Sequence, residues 1–154
     1  MLVDIDEVVR ARLYAESIVA TGRAPLSEGQ RILVVDDNAD AAESLTELLR
    51  VYGHDARMVH DGIAALELVP SFRPEVVFLD IGMPGMDGYE VARRLRRVPG
   101  GADARLIAVT GFGRDEDRRR SHEAGFDRHV TKPLDPRLLP LLISQSDDHP
   151  RPDA

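Results

Sequence analysis

Several residue types and patterns are missing from this chain, and each absence excludes a class of function. The 154 residues contain no cysteine, which excludes disulfides, thiolate catalysis and a cysteine-ligated zinc site. No apolar run approaches the roughly 20 residues that are needed to span a bilayer, so no membrane span is expected. The first residues are acidic where a secretory signal would carry positive charge. We therefore expect a cytoplasmic protein.

Basic residues are outnumbered by acidic ones. The sequence has 27 acidic and 20 basic residues, which gives a formal net charge of −7. Binding to nucleic acids depends on neutralising phosphates with lysine and arginine, so no nucleic-acid partner is expected. The apolar share of 43% and the charged share of 31% are typical of a globular chain with a core.

The chain divides into three zones. Residues 1–29 are predicted to form a helical extension, because apolar residues recur on one arc over residues 2–20. This helix would pack on its own domain or form a homodimer contact, and the pattern does not separate the two. Residues 30–143 are predicted to form one domain. Residues 144–154 are rich in Ser, Asp and Pro and are predicted to be disordered, so no output domain is expected after the core.

Within the core, apolar runs alternate with helical patterns. Five runs are predicted to be strands: Arg31–Val35, His54–Val59, Glu75–Leu79, Arg105–Val109 and Phe126–Val130. A helical pattern follows each strand. Repeated strand–helix units of this kind predict an α/β fold, with a doubly wound parallel sheet and helices on both of its faces.

The helical patterns carry more detailed predictions. The first places Ala41, Leu45, Leu48 and Tyr52 on one face. The second, over residues 61–69, is predicted to stop at Pro70, because proline cannot donate a helical hydrogen bond. The third begins at a capping Asp87 and carries Val91, Leu95 and Val98. The fourth, residues 114–124, is very polar, and the last begins near Asp135, with a proline at its first position.

Polar residues follow the predicted strands at the points where those strands end. Asp36 and Asp37 follow the first strand, Asp80 the third, Thr110 the fourth and Lys132 the fifth. In open α/β sheets, ligands bind beyond the carboxyl ends of the strands. Three neighbouring carboxylates repel one another unless a cation is present, and a hard divalent ion such as Mg²⁺ suits oxygen ligands and phosphate. A carboxylate can also be the nucleophile that accepts a phosphoryl group.

These aspartates also admit a structural and an enzymatic interpretation. A single aspartate at a strand end is more often a helix cap than a functional group, but three aspartates together with a threonine and a lysine favour a site. An enzyme alternative is a magnesium-dependent phosphatase with an aspartate nucleophile. Against it, no strand carries an Asp-x-Asp pair that would supply the nucleophile and the acid together.

Four motifs resemble those of the response-regulator receiver (CheY-like) domain of two-component signalling: VVDDN at Val34–Asn38, LDIGMPGMDG at Leu79–Gly88, AVTG at Ala108–Gly111 and TKP at Thr131–Pro133. The resemblance runs from about Arg31 to Leu142. It implies a flavodoxin-like fold with five parallel strands in the order 2-1-3-4-5 and five helices. The chain would be a stand-alone regulator or a receiver derived from a hybrid kinase.

The resemblance also implies roles for the acidic residues. Asp80 would accept the phosphoryl group from a histidine kinase or a histidine phosphotransfer protein. Asp37, Asp80 and the carbonyl of Gly82 would bind Mg²⁺ directly. Asp36 would act mostly through a water molecule on the metal.

The remaining site residues come from the same resemblance. Thr110 and Lys132 would contact the phosphoryl group, and the peptide bond before Pro133 would be cis. His129 stands where the family usually has Tyr or Phe, and a retained switch role is favoured over that of a surface histidine.

The predicted function is a phosphorylation-controlled binding switch and not a turnover enzyme. Its signal would be a conformational change on the face formed by the fourth helix, the fifth strand and the last helix. This face would contact an unknown protein partner, or a second copy of the chain. A receiver that binds partners without phosphate is the remaining alternative, and loss of Mg²⁺ binding would favour it.

Overall fold

The structure, a computed structural model, describes residues 29–111 and 115–144. These residues belong to two compact units, residues 29–134 and residues 135–144. The predicted N-terminal helix and the predicted tail from residue 145 onward lie outside the described residues. None of the described helices is long and apolar enough to cross a membrane.

The first unit contains a five-stranded parallel sheet. The strands are β1 (Arg31–Val35), β2 (Asp55–Val59), β3 (Val76–Asp80), β4 (Arg105–Thr110) and β5 (Arg128–Thr131). Their spatial order is β2-β1-β3-β4-β5, with every neighbouring pair parallel. This order confirms the flavodoxin-like prediction, and it places β3 at the centre of the sheet.

Four helices accompany the sheet in the first unit: α1 (Ala39–Val51), α2 (Gly62–Phe72), α3 (Gly88–Leu95) and α4 (Asp115–Ala124). The second unit contains a 3₁₀ turn, Pro136–Leu138, followed by α5 (Leu139–Ile143). Asp135 caps that turn, because its side chain accepts a hydrogen bond from the Arg137 N–H at 2.9 Å. The described ranges therefore hold the five helices that the resemblance implies.

The central strands are continuous apolar runs because both faces of the sheet are covered. Every residue of β3 is buried. One face of the sheet packs against α2 and α3 through a cluster that includes Leu79, Val69 and Leu95, all fully buried. Burial of this kind contributes about 1.5–3 kcal/mol for each large apolar side chain and makes the sheet a rigid base for the loops at its ends.

Three of the helices start with a side-chain cap at the carboxyl edge of the sheet. Asn38, Asp61 and Asp87 accept hydrogen bonds from the N–H groups of Ala41, Ala64 and Glu90, at 3.1, 2.7 and 2.8 Å. Each such cap stabilises a helix by about 1 kcal/mol. The caps fix the points at which the chain leaves the carboxyl edge of the sheet.

The prediction that the second helix stops at Pro70 is wrong. Helix α2 runs through Pro70 to Phe72. Pro70 has no N–H to donate, but it lies in the last turn of the helix, where only two further residues follow. Phe72 is buried and has the guanidinium carbon of Arg57 4.4 Å from its ring centroid. Arg73 then ends the helix in the left-handed conformation, with its N–H bonded to the Val69 carbonyl at 2.9 Å.

Two further helix predictions need correction. The buried residues of α1 are Ala42, Thr46 and Leu49, so the core face is offset by one position from the predicted face, of which Ala41 is exposed. Helix α3 ends at Leu95, and Val98 lies beyond it although it packs against the core. The chain turns so tightly there that a side chain at Gly101 would collide with the Leu95 carbonyl.

The opposite end of the sheet is held by one arginine. Arg96 donates hydrogen bonds to the carbonyl of Gly125 at 2.7 Å and to the carboxylate of Asp127 at 2.8 Å. The same carboxylate accepts the Leu106 N–H at 2.9 Å. This network joins the end of α3 to the starts of β4 and β5, and so fixes the strands whose other ends carry functional residues.

The contact between α3 and β3 gives the first prediction. A Cβ atom added at Gly88 would lie 2.6 Å from the Ile81 Cα and 3.0 Å from the Asp80 carbonyl oxygen. Because both are backbone atoms, Gly88→Ala should lower the free energy of unfolding by about 1–3 kcal/mol. Gly111→Ala is the control, since a Cβ atom there meets nothing within 4 Å. Urea unfolding curves measure both; equal midpoints for the two variants would contradict the close packing.

Candidate functional site

Three carboxylates meet at the carboxyl edge of the sheet. Asp36 and Asp37 directly follow β1, and Asp80 is the last residue of the neighbouring strand β3. One oxygen from each lies within 4.8 Å of the others. Asp36 and Asp80 are buried, whereas Asp37 is exposed. The structure thus brings together all three acidic residues that the sequence predicted for this edge.

Main-chain N–H groups orient the two buried carboxylates. One Asp36 oxygen accepts the Asn38 N–H at 2.9 Å, and one Asp80 oxygen accepts the Gly82 N–H at 2.9 Å. In both cases the donor lies two residues after the aspartate, which is the geometry of an Asx turn. Each carboxylate therefore keeps a second oxygen for another partner.

Lys132 occupies the space between those second oxygens. Its ammonium nitrogen lies 3.1 Å from an Asp80 oxygen and 3.4 Å from an Asp36 oxygen. The main-chain N–H of Lys132 also donates a hydrogen bond to the Thr110 carbonyl at 2.7 Å, which joins the lysine to the end of β4. The peptide bond to Pro133 is cis. One positive charge is thus shared by two carboxylates that come from different strands.

The charges of this cluster change the pKa values of its members. Burial raises the pKa of Asp36, and the charge of Asp80 adds to the effect, while the Asn38 N–H and the charge of Lys132 oppose it. Burial by itself would lower the pKa of Lys132, but hydrogen bonds and charges from Asp80 and Asp36 raise it above the ordinary value. The lysine therefore stays protonated, and Asp36 is the carboxylate that takes up a proton more readily than usual.

Thr110 and His129 lie on the adjacent strands. Thr110 is buried at the end of β4, in register with Thr131 of β5. His129 lies on β5, and its Nδ1 is 3.1 Å from the hydroxyl oxygen of Ser121 on α4. The structure thus places Thr110 beside the lysine and joins His129 to α4.

Two contacts at this site were not predicted from the sequence. His60, the residue after β2, has its Nδ1 3.1 Å from the Asp36 carbonyl oxygen. Ser121, a buried residue of α4, is the partner of His129. A survey of polar residues after every strand would have found His60, since β2 ends at the same edge. Ser121 carries no signal of this kind, because it lies inside a polar helix.

The cluster fits a magnesium ion. Oxygen ligands from two or three carboxylates are the set that Mg²⁺ prefers, with water or phosphate oxygens completing the shell. The spacing of at most 4.8 Å between the oxygens is close to the distance that one ion can bridge. The ion would also offset the repulsion among carboxylates that a single lysine balances only in part.

Comparisons with known proteins agree with this geometry. Residues 32–144 match the family described as response regulator receiver domain. The chain belongs to that family. It is thus a CheY-like receiver domain of two-component signalling with an acidic site of the magnesium type, and such domains are usually phosphoacceptors that do not turn over substrate.

Two relatives differ in the share of their own length that this chain covers. An uncharacterized 14.6 kDa protein of Leptolyngbya boryana is 37% identical over 114 residues, which are 74% of this chain and 87% of the relative. The DNA-binding response regulator MtrA of Mycobacterium tuberculosis is 40% identical over 125 residues, which are 79% of this chain but only 54% of the relative. The receiver described here therefore spans about half the length of MtrA.

Solved structures give the same family. The receiver domain of the sensor histidine kinase PA1611 from Pseudomonas aeruginosa, with magnesium coordinated in its active-site cleft, has a TM-score of 0.68 and 30% identity. The similarity covers 75% of this chain and 94% of that one. A receiver domain from Methanospirillum hungatei has a TM-score of 0.66 and 28% identity, over 73% and 88% of the two chains.

The raised pKa of Asp36 gives a prediction for the receiver without metal. A pKa that is higher in the folded than in the unfolded state adds stability at low pH, and this contribution is lost as the pH rises through the folded-state value. Asn resembles a protonated Asp. Asp36→Asn should therefore match wild type in acid, and become the more stable protein as the pH rises toward neutrality.

Chemical unfolding in EDTA at a series of pH values measures this difference. Asp37→Asn is the control, because it removes the same charge from an exposed position of the same cluster. If the free energy of unfolding of wild type instead rose relative to that of Asp36→Asn as the pH increases, the fold would favour the ionised carboxylate. That result would contradict the prediction.

Proposed function

We propose that this receiver accepts a phosphoryl group on Asp80 from a histidine kinase or a histidine phosphotransfer protein, with Mg²⁺ bound beside it. The observation that carries the proposal is the setting of Asp80, which is buried at the end of the central strand, bonded to the Gly82 N–H and paired with Lys132. A fixed carboxylate beside a fixed cation suits an acceptor of a negatively charged group.

The reaction is a displacement at phosphorus. A carboxylate oxygen of Asp80 forms a bond to phosphorus, while the bond from phosphorus to the donor's leaving group breaks. With a phosphohistidine donor the imidazole leaves with the electron pair and takes up a proton, whereas with acetyl phosphate acetate leaves. Asp37, Asp80 and the Gly82 carbonyl would hold Mg²⁺, with Asp36 acting through a water molecule, and the ion would supply positive charge to balance the phosphoryl oxygens.

Lys132 would change partners during this reaction. In the unphosphorylated state it lies between Asp80 and Asp36. Once Asp80 carries a phosphoryl group, the ammonium would pair with a phosphoryl oxygen, and the Thr110 hydroxyl would donate to another. Because the Lys132 N–H is bonded to the Thr110 carbonyl, movement of either residue would displace the other.

The signal would leave the site through β5 and α4. His129 of β5 is bonded to Ser121 of α4, and the Arg120 guanidinium lies 4.3 Å from the ring centroid of Tyr89 on α3. Ser121 and Ala124 are the residues of α4 that are buried in its described part. A helix that buries two side chains in its described part can shift when a neighbouring charge is added, so we propose His129, which is bonded to this helix, as the switch residue. A protein partner, or a second copy of the chain, would bind the altered surface.

Phosphate incorporation from acetyl phosphate tests the acceptor. Wild type should gain label that depends on Mg²⁺, and Asp80→Asn should show only background, because an amide cannot form the acyl phosphate. Asp61→Asn is the matched control: it makes the same exchange at an exposed helix cap where Asn also caps well, so its labelling should equal that of wild type. Label in Asp80→Asn, or none in wild type, would contradict the proposal.

Removal of the lysine should affect binding and chemistry in opposite directions. The ammonium repels a cation bound by the same carboxylates, so Lys132→Met should bind Mg²⁺ at least as tightly as wild type. Its labelling rate should fall about tenfold or more, because the charge that balances the phosphoryl group is gone. Calorimetric titration with Mg²⁺ and labelling time courses measure the two effects. A loss of Mg²⁺ affinity together with the loss of labelling rate would contradict the role proposed for Lys132.

A further inference from the structure

We infer that His60 is a positioning residue for the acidic site, an inference that rests on the proposed function. His60 directly follows the edge strand β2, and its Nδ1 lies 3.1 Å from the Asp36 carbonyl oxygen. A carbonyl oxygen can only accept a hydrogen bond, so Nδ1 must carry the proton and donate it. This contact assigns the tautomer of the ring and links β2 to the residue that starts the carboxylate cluster.

The contact takes over where the pairing of the two strands ends. The register of β1 and β2 ends with Val35 opposite Val59, and the Asp36 N–H still reaches the Val59 carbonyl at 3.2 Å. The next acceptor along the chain is the Asp36 carbonyl, and the His60 side chain supplies its donor. Both the N–H and the carbonyl of Asp36 are therefore hydrogen-bonded at the end of β2, to Val59 and to His60.

The bonded carbonyl belongs to the peptide unit that joins Asp36 to Asp37. A peptide unit is planar, so fixing its carbonyl oxygen also fixes the directions in which both flanking residues leave it. These residues supply two of the three carboxylates of the cluster. His60 thus acts on the relative orientation of Asp36 and Asp37, and it would affect Mg²⁺ binding only through these two residues. Residues that hold ligands in this way affect metal affinity by about 10-fold to 100-fold.

The position of His60 separates this role from a contribution to the core. The side chain is exposed and lies outside the buried cluster, so its removal takes no apolar surface out of the interior. Exposed side chains of this kind generally have small effects on folding. Loss of His60 should therefore leave the fold unchanged and loosen the peptide unit between the two aspartates.

Magnesium titration of four proteins tests the inference. His60→Ala should raise the dissociation constant for Mg²⁺ about tenfold, because the Asp36–Asp37 peptide unit loses its donor. In His60→Asn the side-chain amide can donate a hydrogen bond from nearly the position of Nδ1. The Mg²⁺ affinity of this variant should therefore lie within about threefold of the wild-type value. His122→Ala, the loss of an exposed histidine on α4, should match wild type.

Labelling with acetyl phosphate supplies a readout that a purely structural role would not move. For His60→Ala the Mg²⁺ concentration that gives half the maximal rate should rise about tenfold. The maximal rate at saturating Mg²⁺ should stay at the wild-type value, since His60 does not contact the phosphoryl group. The melting temperature in EDTA should also be unchanged.

The outcomes distinguish failure of this inference from failure of the proposed function. Wild type that neither binds Mg²⁺ nor takes up label would overturn the proposed function, and this inference with it. Wild type that does both, together with His60→Ala of equal Mg²⁺ affinity, would overturn this inference alone. A lowered melting temperature in EDTA without rescue by His60→Asn would show that the histidine serves the fold and not the site.

Discussion

The functional edge of this receiver depends on one balance of charge. Asp36 and Asp80 are both buried, and a single ammonium between them offsets their repulsion. Two main-chain N–H groups stabilise the remaining oxygens, so the cluster is held but not neutralised. A site with an excess of fixed negative charge favours binding of a divalent cation, and the cation in turn allows an anionic phosphoryl group to approach. Cation and phosphoryl group are thus complementary parts of one electrostatic arrangement.

The fold meets this requirement by means of parallel strands. Because every strand runs in the same direction, their carboxyl ends share one edge, and residues far apart in sequence meet there. The apolar interior of the sheet fixes β3, while Arg96 fixes the starts of β4 and β5 at the other end. Stability and function are therefore separated along β1 and β3. Buried apolar residues make up most of each of these strands, and the carboxylates lie at its carboxyl end.

Much of this arrangement could be predicted from the sequence, for physical reasons. Buried parallel strands need continuous apolar runs, and Asp87 marks a helix start by capping it, so both signals are local. The path of α2 through Pro70 was not predictable in this way, because burial of Phe72 outweighs a local stop signal. The place of His60 after β2 can be read from the sequence, but its contact with a backbone carbonyl cannot. Backbone partners leave no residue-type pattern, and only the pairing of β1 with β2 brings the two together.

The distance along the chain between the members of the site has a consequence for its dynamics. Lys132 is 96 residues from Asp36 and 52 from Asp80. No contiguous segment can therefore form the site, and any opening that detaches β5 or β1 destroys it. A ligand that binds only the assembled edge suppresses all of these openings at once. Occupancy of the site should thus slow amide hydrogen exchange in β1, β3 and β5 together, so that a local binding event stabilises three strands of the sheet.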